Sequence, residues 1–315
     1  MLGIDQAGIL AAQGRNTGAF GLDAPTILFG VTCLVFGVGT STAGWIDRLI
    51  HSAWFAGLTP RPEDLAVSGG VAAGCWSVPV RNMDGPEGLE AWIDAFVARG
   101  LFPKTPLATV AVSGDAGPHD QAAALALVRT MRSQRDASGC RTAVIVTIEA
   151  GMASVSRAFV GGLLEQGAFV VQAGLGVPGD HIHHFPLRAA TIPRNGRLVC
   201  VDLADHLATW CPGSMAYLLV IPSGVDEAVQ VVPELAGSGD VRAGRVRGLN
   251  LHLHVRRDAG GDLVTKLDRL ATACQALLLG PTGDLVFTTA NRMDSVSGSA
   301  DLLVIHDACS EHDRI

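Results

Sequence analysis

Three residues in one short turn carry side chains suited to catalysis: Ser113, Asp115 and His119. A serine hydroxyl becomes a nucleophile when a histidine takes its proton and an acid orients that histidine. The order here is Val112-Ser113-Gly114-Asp115. It resembles the centre of a GxSxG nucleophile elbow, but Ala111 stands where the first glycine belongs, and Asp115 where the second does. His119 lies so close in sequence that it reaches Ser113 only if the helix start bends. These three are nonetheless the catalytic candidates of the chain. The acidic pairs Asp115/Asp120 and Asp202/Asp205 read as helix caps and solvated turns.

Histidine supplies a second set of candidates. Eight of the ten fall after residue 180, in four groups: His181, His183 and His184; His206; His252 and His254; His306 and His312. In the stretch Leu251-His252-Leu253-His254 the two rings would share one face of a strand, an arrangement open to metal binding. Asp180, Asp202, Asp205 and Asp307 are available carboxylates. No HExxH or HxHxDH spacing occurs, so no metal ligand set is assigned. A metal-dependent hydrolase or lyase using this half is kept as an alternative.

A third candidate is the turn Gly37-Val38-Gly39-Thr40-Ser41-Thr42, which precedes a helical pattern. Glycines ahead of a helix let backbone N–H groups approach a phosphate. This turn matches neither GxGxxG nor GxxxxGK[ST], and a tight turn capped by Thr and Ser explains the same residues. No cofactor is named from it.

These residues must be held by regular elements. Leu107 to Val112 and Ala143 to Ile148 are continuous apolar runs of strand type. Between them Asp120 is placed as a helix N-cap, and Gln121 to Arg132 is rich in Ala and Leu. Strand, helix and buried strand make a βαβ unit, whose strand-to-helix turn is a usual seat of chemistry. Strands are also expected at 26–36, 65–67, 168–172, 198–203, 215–221, 248–255 and 302–305. Helices are expected at 43–55, 87–98, 154–165 and 262–276. Val225 to Leu235 fits either. Val71 to Pro86, with Cys75 and Trp76, reads as irregular, and Gly174 to Pro193 as loop. A Pro281-Thr282-Gly283 turn is expected to interrupt the strand pattern around 276–289. Alternation of this kind gives an α/β fold with mainly parallel sheets covered by helices. Ala236 to Gly244 is the expected linker, dividing a core domain at 1–235 from a smaller α/β region at 245–315.

The totals narrow the function. A length of 315 residues with 48% apolar content supports a large core. A net charge of -7 and a pI near 5.8 argue against nucleic-acid binding. The five arginines between Arg242 and Arg257 are the only local basic patch, and they read as a solvated face. Mean hydropathy is +0.33, yet the longest apolar run, Ala24 to Val38, is shorter than the ~20 residues of a spanning helix. The start, MLGIDQAGIL, carries no basic segment of signal-peptide type. A cytoplasmic protein without membrane contact is expected. Seven cysteines, none in CxxC, suggest neither a disulfide framework nor a zinc finger.

Four segments taken in order resemble the β-ketoacyl synthase branch of the thiolase-like superfamily. They are AGLTPRPEDLAVSGG (56–70), TVAVSGDAGPHDQAAALALVRTMRS (109–133), TAVIVTIEAGMAS (142–154) and PGSMAYLLVIPS (212–223). The resemblance implies a thiolase-like layered architecture of two similar halves. It also implies a role in fatty acid or polyketide type acyl metabolism, and a homo- or hetero-dimer. The family's nucleophile is a cysteine at the start of the helix. The window from Ser113 to His119 has none, and the HGTGT-type segment is missing. The implied function is therefore non-condensing: an acyl-binding or partner subunit that meets an acyl-carrier protein or acyl-CoA.

Two further segments, FGVGTSTAGWIDRLI (36–50) and IEAGMASVSRAFVGGLLEQGAFVV (148–171), resemble the tubulin-like GTPases. The nearest counterpart of that family's GGGTGTG phosphate loop is Gly151-Met152-Ala153-Ser154. This resemblance implies a nucleotide-binding assembly protein, held as the other alternative.

Overall fold

A computed structural model describes residues 33–50, 74–77, 107–138, 143–149, 155–174, 177–191, 209–221, 229–230, 232–233, 246–255, 263–277, 279–291 and 299–306. The expected strand at 198–203, the helix at 87–98, the linker at 236–244 and residues 151–154 lie outside them. The chain divides into two compact units. One comprises 1–147 and 151–168, the other 148–150 and 169–315.

The first unit is built on β1 (Cys33–Val38), β2 (Gly74–Ser77), β3 (Leu107–Val112) and β4 (Ala143–Ile148), in the order β2-β1-β3-β4. β1 runs parallel to β2 on one side and to β3 on the other, with Cys33 opposite Leu107 and Val38 opposite Val112. Every residue of β3 and β4 is buried, which is why both read as unbroken apolar runs rather than alternating ones. Cys75 and Trp76, read from sequence as loop, belong to β2. A four-residue strand flanked by glycine is too short to show a period, and parallel pairing with β1 defines it.

Helices α1 (Thr40–Ile50), α2 (Pro118–Ser138) and α3 (Arg157–Glu165) are the described helices of this unit. α2 buries Ala123, Ala124, Leu127, Val128 and Met131, one stripe at helical spacing. α3 is capped at its start by Ser156, whose Oγ accepts from Phe159 N at 3.1 Å. It ends in Gly167, with φ of 75°, where Ala168 N donates to Leu163 O and Gly167 N to Leu164 O. That is a Schellman closure.

The second unit has the order β5-β6-β9-β7-β8, from β5 (Phe169–Ala173), β6 (Met215–Ile221), β7 (Val246–Val255), β8 (Leu279–Asn291) and β9 (Ser299–His306). β5 pairs parallel with β6, and β7 with β8. β9 lies between β6 and β7, antiparallel to both. The Pro281 to Gly283 turn does not end the strand. It is absorbed where Val246 to Gly248 of β7 faces Leu279 to Asp284 of β8. Phe169 stacks on Trp210 with ring centroids 5.7 Å apart, and Phe185 leans on the same indole.

Phe185 belongs to α4 (Gly179–Thr191), in the segment read from sequence as loop. Its glycines, prolines and clustered histidines suggest irregular backbone. Burial of Ile182, His183 and Phe185 and the pairing of His181 and His183 with carboxylates supply the tertiary interactions that hold the helix despite internal Pro186. α5 (Leu263–Leu277) follows the expected helical pattern. The architecture is α/β with mostly parallel strands. Among the described residues the two units do not repeat one topology, since the first pairs β1 in parallel with both neighbours and the second inserts an antiparallel strand, whereas a thiolase-like protein has two similar halves.

Candidate functional site

In the order β2-β1-β3-β4 the chain leaves β1 toward one side and returns on the other at β3. That makes β1/β3 a topological switch point. Open parallel sheets form a crevice at such a point, outside the carboxyl ends of the strands. Two turns meet there: Gly39, which leads from β1 into α1, and residues 113–117, which lead from β3 into α2.

Gly39 has φ of 97°, a conformation that side chains disfavour. A Cβ built on it would lie 2.5 Å from the Cβ of Ser113. Glycine is therefore required twice at this position, by backbone conformation and by contact. Ser113 N donates to Val38 O at 3.0 Å, extending the β1–β3 ladder into the turn. The Oγ atoms of Ser41 and Ser113 are 2.5 Å apart, and Ser113 Oγ donates to Asp115 Oδ1. Ser113 has one hydroxyl proton and gives it to the carboxylate. Ser41 is then the donor in the serine pair, and the chain runs Ser41 to Ser113 to Asp115.

The two helix starts differ. α1 has Gly39 as its N-cap, which offers no side-chain acceptor, and no acid in its first turn. Thr42 Oγ1 donates to Gly39 O at 2.9 Å. α2 begins with Pro118 at its first position, where a missing N–H costs nothing. Asp120 is the third residue of the helix rather than the N-cap expected from sequence. Its Oδ2 accepts from Gly117 N at 3.0 Å, the acidic half of a capping box. Ala116 N donates to Ser113 O at 3.1 Å, and Gln121 Nε2 to Ala116 O at 3.0 Å. Ser156 Oγ donates to Gln121 Oε1 at 3.4 Å, so the loop is braced from the start of α3.

Ser113 and Asp115 are brought together here, with Ser113 fully buried and Asp115 exposed. His119 stands exposed at the second position of α2. The bonds of Ser113 Oγ run to Ser41 and Asp115. Ser41 was read from sequence only as part of the Gly37 to Thr42 turn, and its contact with Ser113 was not foreseen. It lies 72 residues from Ser113, and no local pattern announces that contact.

Four of the described histidines have partners in the structure. His181 Nε2 lies 2.8 Å from Oδ1 of fully buried Asp301, and His183 Nε2 3.1 Å from Glu149 Oε1. His184 Nδ1 lies 2.6 Å from the Asp180 carbonyl oxygen, one turn back in α4. His306 packs edge-on against Tyr217. His252 and His254 occupy alternate positions of β7, as their spacing implied. His206 and His312 lie outside the described residues. Among the described residues no three His, Cys, Asp or Glu side chains gather around a metal position. Burial pushes the Cys274 thiol up to about 12, which removes it as a nucleophile.

No protein-family model matches the sequence, and no curated protein does. Solved structures do match. A mutant of FtsZ from M. jannaschii superposes with a TM-score of 0.58 at 14% identity, over 96% of this chain and 96% of that one. The fold is FtsZ/tubulin-like. CetZ1 from Haloferax volcanii, a GDP-bound monomer, gives 0.54 at 9% identity over 90% of this chain and 96% of that one. TubZ of Bacillus thuringiensis serovar israelensis, a GTPγS-form protofilament, gives 0.53 at 9% over 88% and 86%. These matches overturn the thiolase-like assignment. The ketosynthase-like function goes with it, as do the acyl-carrier protein and acyl-CoA partners. The Ala-rich helix after a buried strand that suggested it is common property of parallel α/β folds, and the missing cysteine agrees with its rejection. Among the described residues no helix is long and apolar enough to cross a membrane.

Proposed function

We propose that the protein binds a guanine nucleotide at the carboxyl ends of β1 and β3 and assembles with copies of itself. The observation that carries this reading is the meeting of the Gly39 turn and the 113–117 loop at the β1/β3 switch point. α1 starts there with glycine as its cap and no acid in its first turn, the electrostatic setting that suits a phosphate. The likeness to a GDP-bound CetZ1 and to a TubZ protofilament supports both halves of the proposal. Ser113 and Asp115 are read as the residues that close the loop, rather than as nucleophile and acid. His119, exposed at the start of α2, is read as lining the same crevice.

Two measurements on the full chain test this. Fluorescence titration with a methylanthraniloyl-labelled GDP in the presence of magnesium should show saturable binding that unlabelled GDP and GTP displace and ATP displaces poorly. Sedimentation with GTP should pellet more protein than sedimentation with GDP. Failure to bind either guanine nucleotide would sink the reading. Binding without nucleotide-dependent pelleting would remove only the assembly half.

A further inference from the structure

The shape of the 113–117 loop rests on hydrogen bonds at both of its ends. Ser113 N donates to Val38 O and Ala116 N to Ser113 O, which fixes the entry. Gly117 O accepts from Gln121 N at 3.0 Å in the first turn of α2, which fixes the exit. Between them lies the carbonyl of fully buried Ala116, and the side chain of Gln121 reaches back to it, Nε2 donating at 3.0 Å. The other end of the same amide accepts from Ser156 Oγ at 3.4 Å. Ser156 is the N-cap of α3, where its Oγ also accepts from Phe159 N. The buried Gln121 amide therefore joins the loop to the start of another helix, 35 residues away in sequence. On the opposite side Ser113 joins the loop to Ser41 in the first turn of α1. One hydrogen-bonded line runs from α3 through the loop to α1.

We infer that Gln121 is a positioning residue of this site: it holds the 113–117 loop in the shape that accepts a ligand, and it makes that shape depend on the start of α3. This rests on the nucleotide reading above and names a residue that acts on the ligand through the loop. The physical reason is the Ala116 carbonyl. A buried carbonyl that loses its donor pays a desolvation penalty, and its peptide unit escapes that penalty by turning. Turning the Ala116–Gly117 peptide changes the dihedral angles on either side of it. That moves Gly114 and Asp115, the half-buried and exposed residues at the tip of the loop. No local signal marks Gln121, since glutamine in an Ala-rich helix is an ordinary helix former.

The test is the affinity for methylanthraniloyl-labelled GDP of the full wild-type chain, Gln121→Met and Val128→Ala, each well below its thermal midpoint. Methionine keeps the length and volume of the side chain and removes both hydrogen bonds. Val128→Ala opens a small cavity two turns further along the buried stripe of α2, so it destabilises the helix without touching the Gln121 amide. Gln121→Met should bind at least about fivefold more weakly than wild type, and Val128→Ala within about twofold of it. The second readout is hydrogen exchange over 157–165, which saturating GDP should slow in wild type and leave unchanged in Gln121→Met. Ser156→Gly, a replacement that an N-cap tolerates, cuts the same line at its other end and should uncouple α3 in the same way, whether or not Gln121→Met folds. Equal losses of affinity in Gln121→Met and Val128→Ala would show that binding follows helix stability, and would overturn the inference. So would a Gln121→Met protein that binds as wild type does, or exchange in α3 that GDP changes equally in wild type and Ser156→Gly. Each of those results leaves the nucleotide reading standing. Failure of the wild-type chain to bind would remove that reading, and the inference with it.

Discussion

Two strand-to-helix turns stand side by side at the same end of one sheet, and they solve the same problem in opposite ways. The turn after β1 satisfies its geometry with a glycine at φ of 97° and leaves the start of α1 without an acid. The turn after β3 satisfies its own N–H groups, through Ser113 O and Asp120 Oδ2, and ends acidic. A helix start becomes an anion site by what its neighbours leave unmade, not by being a helix start. On the proposed function, α1 takes the ligand-facing role and the 113–117 loop the closing one.

The comparison is most strongly tested at Gly39. Replacement by alanine forces a disfavoured φ and drives a methyl group into Ser113 Cβ. A loss of about 3 kcal/mol or more is expected, read as a lower urea midpoint at unchanged slope. A cost near zero would mean that the two turns do not touch. Next comes Ser113→Ala, which cuts both Ser41 and Asp115 loose. It should cost about 1 to 2 kcal/mol, with faster hydrogen exchange at the start of α1 as well as in the loop. Exchange confined to the loop would show that the turns are not coupled.

Asp120→Ala should cost about 1 kcal/mol by removing the cap on Gly117 N and the charge at the α2 dipole. Asp120→Asn should recover part of that, since an amide oxygen still accepts. Equal costs for the two would point to charge alone. Smallest of all should be Gly117→Ala. The nearest atom to a Cβ there is Asp120 Oδ2 at 3.9 Å, and the φ is not positive. A change within about 0.5 kcal/mol is expected in the same urea titration. A large loss there would erase the contrast with Gly39.

The legible parts of the fold were those set by contiguous chain. β3, α2 and β4 lie where the apolar runs and the Ala-rich stretch put them, because a buried parallel strand needs continuous apolar sequence. β6, β7, α5 and β9 followed from the same signals. α4 did not, since its histidines and prolines are poor local helix signals. Its stability comes from burial and from carboxylates 34 and 120 residues away. The candidate site was half legible. Gly37 to Thr42 and Ser113 to Asp115 were each recognised as turns suited to chemistry, but nothing local joined them.

The sequence by itself determined the α/β class, the strands and helices around Ser113, and the glycine turn after β1. Periodicity, propensity and turn chemistry are local, and they are written in neighbouring residues. Only the tertiary structure decided between the thiolase-like and tubulin-like readings, because both use a buried strand followed by an Ala-rich helix. What separates them is strand order and direction, with β1 between β2 and β3 and β9 reversed between β6 and β7. It also decided that Ser113 bonds to Ser41 and Asp115. Those are long-range pairings, fixed by the free energy of burying whole faces together rather than by any residue's nearest neighbours.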